Sequence, residues 1–283
     1  MSDKCGAVVY LARKVDGTRW MPRFLASLQA QPPGRAYDLL IILKGYAEGE
    51  IPRCLRGFRA PGLRRILTMT FDDSRFATQA FFAAAEQFDH DAFLFFVSSA
   101  KVLAPDWVEL MFQPLLSGRA QLVGASSGFE SLDEDTPFPN PSVRTTGFAM
   151  RRADWLALER GNLSVRYGGN LFEAGPRSMT KQVLAQSGGI MVVGRNGQTY
   201  PPERWRDSAT FRLSRQENIL FSDNRTDQFD LARPVKRRLL VTANWGSGMP
   251  IVPVSTPVVY LRRIRVAGQR LWWRLLGSWL ILR

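Results

Sequence analysis

At 283 residues the chain is long enough to bury one large core, and 45% apolar with 22% charged residues is the balance of an ordinary globular protein. A net charge of +13 points instead to polyanionic partners, whether phosphorylated substrate, anionic membrane or nucleic acid. The lone histidine, His90, excludes an HExxH zinc protease and leaves a Ser-His-Asp triad with one poor choice of base, while Cys5 and Cys54 lack the CxxC spacing of a structural zinc site or redox centre.

The N-terminus, MSDKCG, carries no basic-then-apolar signal pattern, and no run reaches the ~18 apolar residues of a membrane span. A cytoplasmic protein is the expectation, and so few cysteines suit a reducing compartment. Ala7 to Leu11 (AVVYL) predicts a first strand. Met21, Phe24, Leu25 and Leu28 recur at helical spacing and stop before Pro32 and Pro33. Asp38 to Leu43 (DLLIIL) predicts a second strand closed by Lys44-Gly45, and Leu63 to Met69 a third, with Phe71-Asp72-Asp73-Ser74 as its turn. A helix bearing Phe76, Ala80, Phe81, Ala84 and Phe88 leads past His90, a loop residue, into Phe93 to Val97. That unbroken apolar run suits a central strand covered on both faces. Pro105 then opens a helix with Trp107, Leu110 and Met111 on one side. Alternating strands and helices predict βαβ units and a parallel sheet. Ligands of such sheets bind beyond the carboxyl ends of the strands, which directs attention to Ser98, Ser99 and Lys101.

Leu122 to Ala125 predicts a further strand, residues 128–141 (GFESLDEDTPFPNP) an acidic loop, and Arg144 to Arg152 a strand entering a helix at Asp154 to Leu158. Phe172-Glu173-Ala174-Gly175 reads as the approach to a helix over Ser178 to Ala185. Ile190 to Val193 and Gln198 to Tyr200 flank Asn196-Gly197, a hairpin signal. Residues 201–247 are polar and Trp-punctuated without clear periodicity. The tail interleaves Arg262, Arg263, Arg265, Arg270 and Arg274 with Leu and Trp, the pattern of a helix lying in an anionic membrane interface. The division expected is a catalytic-type domain over 1–247 and a basic, Trp-rich tail over 248–283, the membrane contact running through 258–283.

The order of these elements, and a buried strand ending in short polar residues before Leu103-Ala104-Pro105-Asp106-Trp107, resembles GT-A fold, family-2-like glycosyltransferases, the nucleotide-diphospho-sugar transferase superfamily. The resemblance runs over residues 5 to 230. It implies an α/β fold of GT-A (Rossmann-like) type, a mixed, mainly parallel sheet flanked by helices, here with a basic amphipathic C-terminal helix. It also implies transfer of a sugar from a nucleotide-sugar donor to a glycan or lipid-linked acceptor in bacterial-type surface polysaccharide assembly, by a peripheral protein on the inner face of the membrane.

In that family an Asp-x-Asp motif at the end of the central strand holds a divalent metal on the donor diphosphate; here Ser98, Ser99 and Ala100 occupy it. No cofactor is then required. Mg²⁺ or Mn²⁺ would need ligands from the acidic loop (Glu130, Asp133, Glu134, Asp135), and Lys101, Arg144 or Arg177 could instead act as fixed charges on the phosphates. Lys44 replaces the acidic end of the family's second strand, and Asp72 and Asp73 stand at a donor contact. Glu173 matches the carboxylate that serves as general base on the acceptor hydroxyl. Trp205, Asp223 and Asn224, in strings rich in hydrogen-bonding side chains, are acceptor candidates. The alternative is a catalytically silent GT-A-like scaffold or sugar-nucleotide binder. Nucleic-acid binding explains the charge and nothing else, since no helix-turn-helix, RRM or zinc string is present.

Overall fold

A computed structural model describes residues 6–250, with Ile264 and Gly268 as isolated positions, so the expected C-terminal amphipathic helix lies outside the described residues. The first half repeats strand and crossover: β1 (Ala7–Arg13), α1 (Met21–Ala30), β2 (Tyr37–Lys44), β3 (Leu63–Phe71), α2 (Ala77–Gln87) and β4 (Ala92–Phe96). There follow β5 (Lys101–Val102), α3 (Trp107–Leu116), β6 (Leu122–Gly124), β7 (Ser127–Gly128), β8 (Ser142–Val143) and β9 (Gly147–Arg151). The second half is mostly helical. It contains α4 (Arg152–Leu156), α5 (Arg166–Ala174), α6 (Met179–Ala185), the hairpin β10 (Ile190–Val193) and β11 (Thr199–Tyr200), β12 (Phe221–Ser222), α7 (Asn224–Asp230) and α8 (Pro234–Trp245).

The continuous apolar runs become central strands because both their faces are covered. Alternate residues of β1 divide between two cores: Val9 and Leu11 face a cluster with Phe81, Phe95 and Trp155, whereas Val8 and Tyr10 face one with Phe24, Trp107 and Phe112. β4 divides in the same way, Phe93 and Phe95 to one side, Leu94 and Phe96 to the other. Eight strands form one sheet in the order β11-β10-β6-β9-β4-β1-β2-β3. β1, β2, β3 and β4 are mutually parallel, β9 is antiparallel to β4 and β6, β10 is parallel to β6, and β11 closes the edge antiparallel. The fold class is therefore mixed α/β with a mainly parallel sheet flanked by helices.

Three features depart from the sequence reading. Glu173 precedes α6 as expected, but it is also the penultimate residue of a helix the sequence did not show, α5, where the helix dipole opposes rather than favours a negative charge. Residues 224–245 hold two helices where no periodicity was legible. In α8 the buried positions are Arg237, Val241, Asn244 and Trp245, a helical spacing that an apolar count misses because two of the four are polar. His90 is in the loop before β4 but is buried, its Nε2 2.9 Å from Asp38 Oδ2 near the amino end of β2. Cys54 is a free thiol that burial pushes up to about 11.

Gly147 opens β9 where the backbone passes between two rings: a Cβ there would lie 2.4 Å from Phe221 and 3.1 Å from Phe96. Gly147→Ala should lower stability by about 1–3 kcal/mol, the usual cost of overpacking, measurable by urea unfolding. Unchanged stability would mean that Phe221 can move aside freely.

Candidate functional site

The sheet is built outward from β1 to β3 and then resumes at β4 on the other side of β1, so the crossover direction switches between β1 and β4. Crevices for ligands open at such switch points, outside the carboxyl ends of the strands. At this end Ser98 and Ser99 follow β4. The Tyr10 hydroxyl donates to the Ser98 carbonyl at 2.6 Å, tying the turn to β1. Ser99 Oγ donates to Asn224 Oδ1 at 3.4 Å. β5 and β12 pair antiparallel, Lys101 opposite Ser222, so residues more than a hundred positions apart meet beside the serines. Asp223 then begins α7. Its Oδ1 accepts from the backbone N–H groups of Arg225 and Thr226 at 2.9 and 2.8 Å, and its Oδ2 accepts from Thr146 Oγ1 at 2.6 Å.

The segment before β9 supplies the charged centre. The Arg144 guanidinium stacks on the Phe211 ring at 3.7 Å, and its buried Nε has no hydrogen-bond partner among the described residues. A cation held by a ring rather than by acceptors keeps its hydrogen-bonding fork for an incoming anion. Burial pulls Arg144 down to about 10, opposed by Asp223 and reinforced by Arg225 and Arg212; it stays charged at neutral pH. Arg212 is buried beneath the same ring, 4.6 Å from its centroid, and reaches both oxygens of Glu130 at 3.0 Å.

Glu173 meets this cluster from the end of α5. Burial pushes its carboxyl above the usual carboxylate range, against the pull of Arg144, a hydrogen bond from Thr145, and Arg225. The site thus joins one carboxylate poised to take a proton with arginines aimed at the same space, a combination suited to proton abstraction beside a phosphate.

The sequence-predicted residues distribute unevenly. Ser98, Ser99, Lys101, Arg144, Glu173, Asp223 and Asn224 come from four separate stretches and are linked by the contacts above. Lys44 and Asp73 lie at the ends of β2 and β3 and bind each other, Lys44 Nζ reaching Asp73 Oδ1 at 2.7 Å and also the Asp73 carbonyl. Asp72 caps its own turn through the Ser74 N–H at 2.8 Å, and hydrogen bonds from Ser74 hold its carboxyl below the usual range. Arg177 pairs with Glu159 at 3.0 Å on the open surface. Trp205 has no exposed surface; it packs 5.6 Å from Phe129, so its ring is core and not a platform for a sugar. Thr145, Phe211, Arg212 and Arg225 escaped the sequence reading as site residues. Arg225 lay in a string already noted for its density of polar side chains, whereas Phe211 and Arg212 carry no local signal.

The donor set does not fit the divalent metal that the resemblance implies. Mg²⁺ and Mn²⁺ need several oxygen ligands, usually with carboxylates among them. Ser98 and Ser99 bring hydroxyls, both oxygens of Asp223 are engaged, and both of Glu130 are held by Arg212. Asp133 of the acidic loop accepts from Thr136 and from the Tyr167 hydroxyl. No group of three or more His, Cys, Asp or Glu side chains able to hold a metal is present among the described residues.

No family model matches the sequence, and no curated protein matches it. Among solved structures, the galactosyltransferase LgtC in complex with donor and acceptor sugar analogs aligns with a TM-score of 0.43 and 11% identity, over 62% of this chain and 70% of that one. An active-site mutant of LgtC aligns with a TM-score of 0.41 and 15% identity, over 54% of this chain and 60% of that one. Neither match bears on the chemistry of this chain.

The raised Glu173 carboxyl makes a stability prediction. A group whose folded pKa lies above its unfolded one costs nothing below the unfolded pKa and costs stability as pH rises through the folded value. Glu173→Gln should therefore melt close to the parent at about pH 4 and above it at about pH 8, as read by thermal unfolding. A melting difference independent of pH would remove the assignment.

Proposed function

We propose that the chain is a glycosyltransferase of GT-A type that transfers a sugar from a nucleotide-sugar donor to a hydroxyl of a glycan or lipid-linked acceptor in surface polysaccharide assembly. The carrying observation is the meeting of Glu173, with its raised pKa, and ring-stacked Arg144, in a cluster that the Thr146–Asp223 and Ser99–Asn224 hydrogen bonds tie to the end of β4. Glu173 takes the proton of the acceptor hydroxyl as its oxygen bonds to the anomeric carbon. The bond from that carbon to the diphosphate oxygen breaks, and the leaving group departs with the electron pair. Arg144, with Arg225 beside it and Lys101 on the β5–β12 ladder, receives that negative charge, the work that a bound metal would otherwise do. The donor set supports a metal-independent reaction. The basic tail, 258–283, holds the protein to the inner face of an anionic membrane; no helix among the described residues is long and apolar enough to cross one.

A thermal-shift panel of nucleoside diphosphates and sugar nucleotides, with and without Mn²⁺, tests the donor side. A ligand at ~100 times its Kd adds about 2.7 kcal/mol. One nucleotide should stabilise the protein without metal, and a shift that needs Mn²⁺ would contradict the arginine clamp. Binding without turnover would favour the silent binder, a reading that the missing Asp-x-Asp carboxylates support. For the chemistry, Glu173→Gln should lower kcat about 100-fold to 10,000-fold and leave donor binding intact. Arg144→Lys keeps the charge but loses the planar fork, and should cost about 100-fold in kcat. Full activity in either variant would refute its role.

A further inference from the structure

α8 presents a face that no described residue covers. Val235 is 76% and Leu239 66% exposed, one turn apart on the same side of the helix, while Arg237, Val241, Asn244 and Trp245 bury the opposite side. Lys236 and Arg238 are exposed between and beside the two aliphatic side chains, and exposed Arg233 precedes the helix. Along the sequence the charge here has one sign. The last acidic residue of the chain is Asp230, and everything after it carries Arg and Lys with no Asp or Glu. The nearest carboxylates in sequence, on α7, are engaged: Asp227 with Arg23 at 3.1 Å and Asp230 with Gln216 Nε2 at 3.2 Å.

We infer that this face of α8 docks on an anionic bilayer, with Val235 and Leu239 entering the interface and Arg233, Lys236 and Arg238 meeting the headgroup charge. A helix with exposed aliphatics flanked by cations is the arrangement that lies in such an interface. Charge decides among the occupants. A second copy of the chain would bring the same positive face against itself, and two aliphatic side chains are far short of the roughly 1,200 Å² that a stable protein interface buries. The chain's own residues beyond 250 carry six arginines and no acidic side chain, so they too would be repelled.

The contact would also fix orientation. α8 is joined rigidly to the body: Trp245 Nε1 donates to the Phe211 carbonyl at 2.8 Å, and the Asn244 carbonyl accepts from Phe129 N–H at 2.9 Å. Phe211 is the ring on which Arg144 stacks. A helix laid on the membrane would hold the cleft at a set angle to the bilayer, which a tail alone would not. This docking stands on the surface of α8 and not on the proposed transfer reaction.

The test is vesicle flotation of the full chain with phosphatidylcholine vesicles, with and without phosphatidylglycerol. Two paired variants are compared with the parent: Val235→Glu with Leu239→Glu, and Lys236→Gln with Arg238→Gln. The positions are exposed, so both pairs should fold and melt like the parent without vesicles. Each pair should weaken binding to the anionic vesicles by about tenfold or more. Parent-like binding by both pairs would overturn the proposal and leave the membrane contact to residues 258–283. A lower melting temperature of the Val235/Leu239 pair in vesicle-free solution would assign the face to packing by residues 251–283, and loss of a dimer in sedimentation would assign it to a second copy. Either result would also overturn the docking.

Discussion

One aromatic pile on a single face of the sheet holds the molecule's parts in register. Phe95 of β4 stacks with Phe93 and lies 5.0 Å from Phe81 of α2, 5.1 Å from Phe148 of β9 and 5.0 Å from Trp155 of α4. Trp155 in turn meets Phe82 at 4.3 Å and Phe172 of α5 at 5.6 Å. Strands β4 and β9 and helices α2, α4 and α5 thus share one dry contact set. Each ring pair adds about 0.5–1.5 kcal/mol beyond burial, and the geometry matters as much as the energy. Phe172 pins α5 from below, and the next residue around the helix, Glu173, is thereby delivered to the cleft.

The charged centre depends on the same economy of means, aromatic surface used to hold a polar group. Arg144 has little choice of position: its backbone N–H is held by the Ser126 carbonyl at 3.0 Å, and its guanidinium lies on Phe211. Phe211 sits in a segment where Ala209, Arg212, Ser214 and Gln216 all have positive φ. Non-glycine residues rarely adopt that conformation, and it persists where surroundings over-determine it. Here they do so through the Arg212–Glu130 pair, the bond from the Arg212 N–H to Gln216 Oε1, and the bond from Trp245 Nε1 to the Phe211 carbonyl. The strained backbone is the means by which a ring reaches a guanidinium from a distant part of the chain.

Burial then sets the proton chemistry. Arg144 and Glu173 each lose solvation in the same small space, so burial lowers the arginine's pKa, though it stays charged at neutral pH, and raises the carboxylate's. Their mutual attraction only partly offsets this. Burial thus disfavours negative charge on Glu173, while Arg144 keeps its charge and a buried Nε without a hydrogen-bond partner among the described residues.

The sequence by itself determined the sheet and its polarity. AVVYL, LLIIL and FLFFV are apolar without interruption because strands covered on both faces have no solvent side to mark, and the helical spacing between several of them favoured βαβ crossovers. It also directed attention to the end of β4, through the polarity of the strands, whereas Glu173 was singled out by the resemblance to a family and Arg144 by its charge. Tertiary structure alone decided which candidates meet. Lys44 and Asp73 satisfy each other, Trp205 is consumed by the core, and Arg177 pairs at the surface. Asp223 and Lys101 come together through a two-stranded ladder closing across more than a hundred residues. Local pattern records whether a residue has a wet or a dry face. It does not record which distant group will share that face, and for Phe211, Arg212 and α8's buried Arg237 that pairing is the whole of their role.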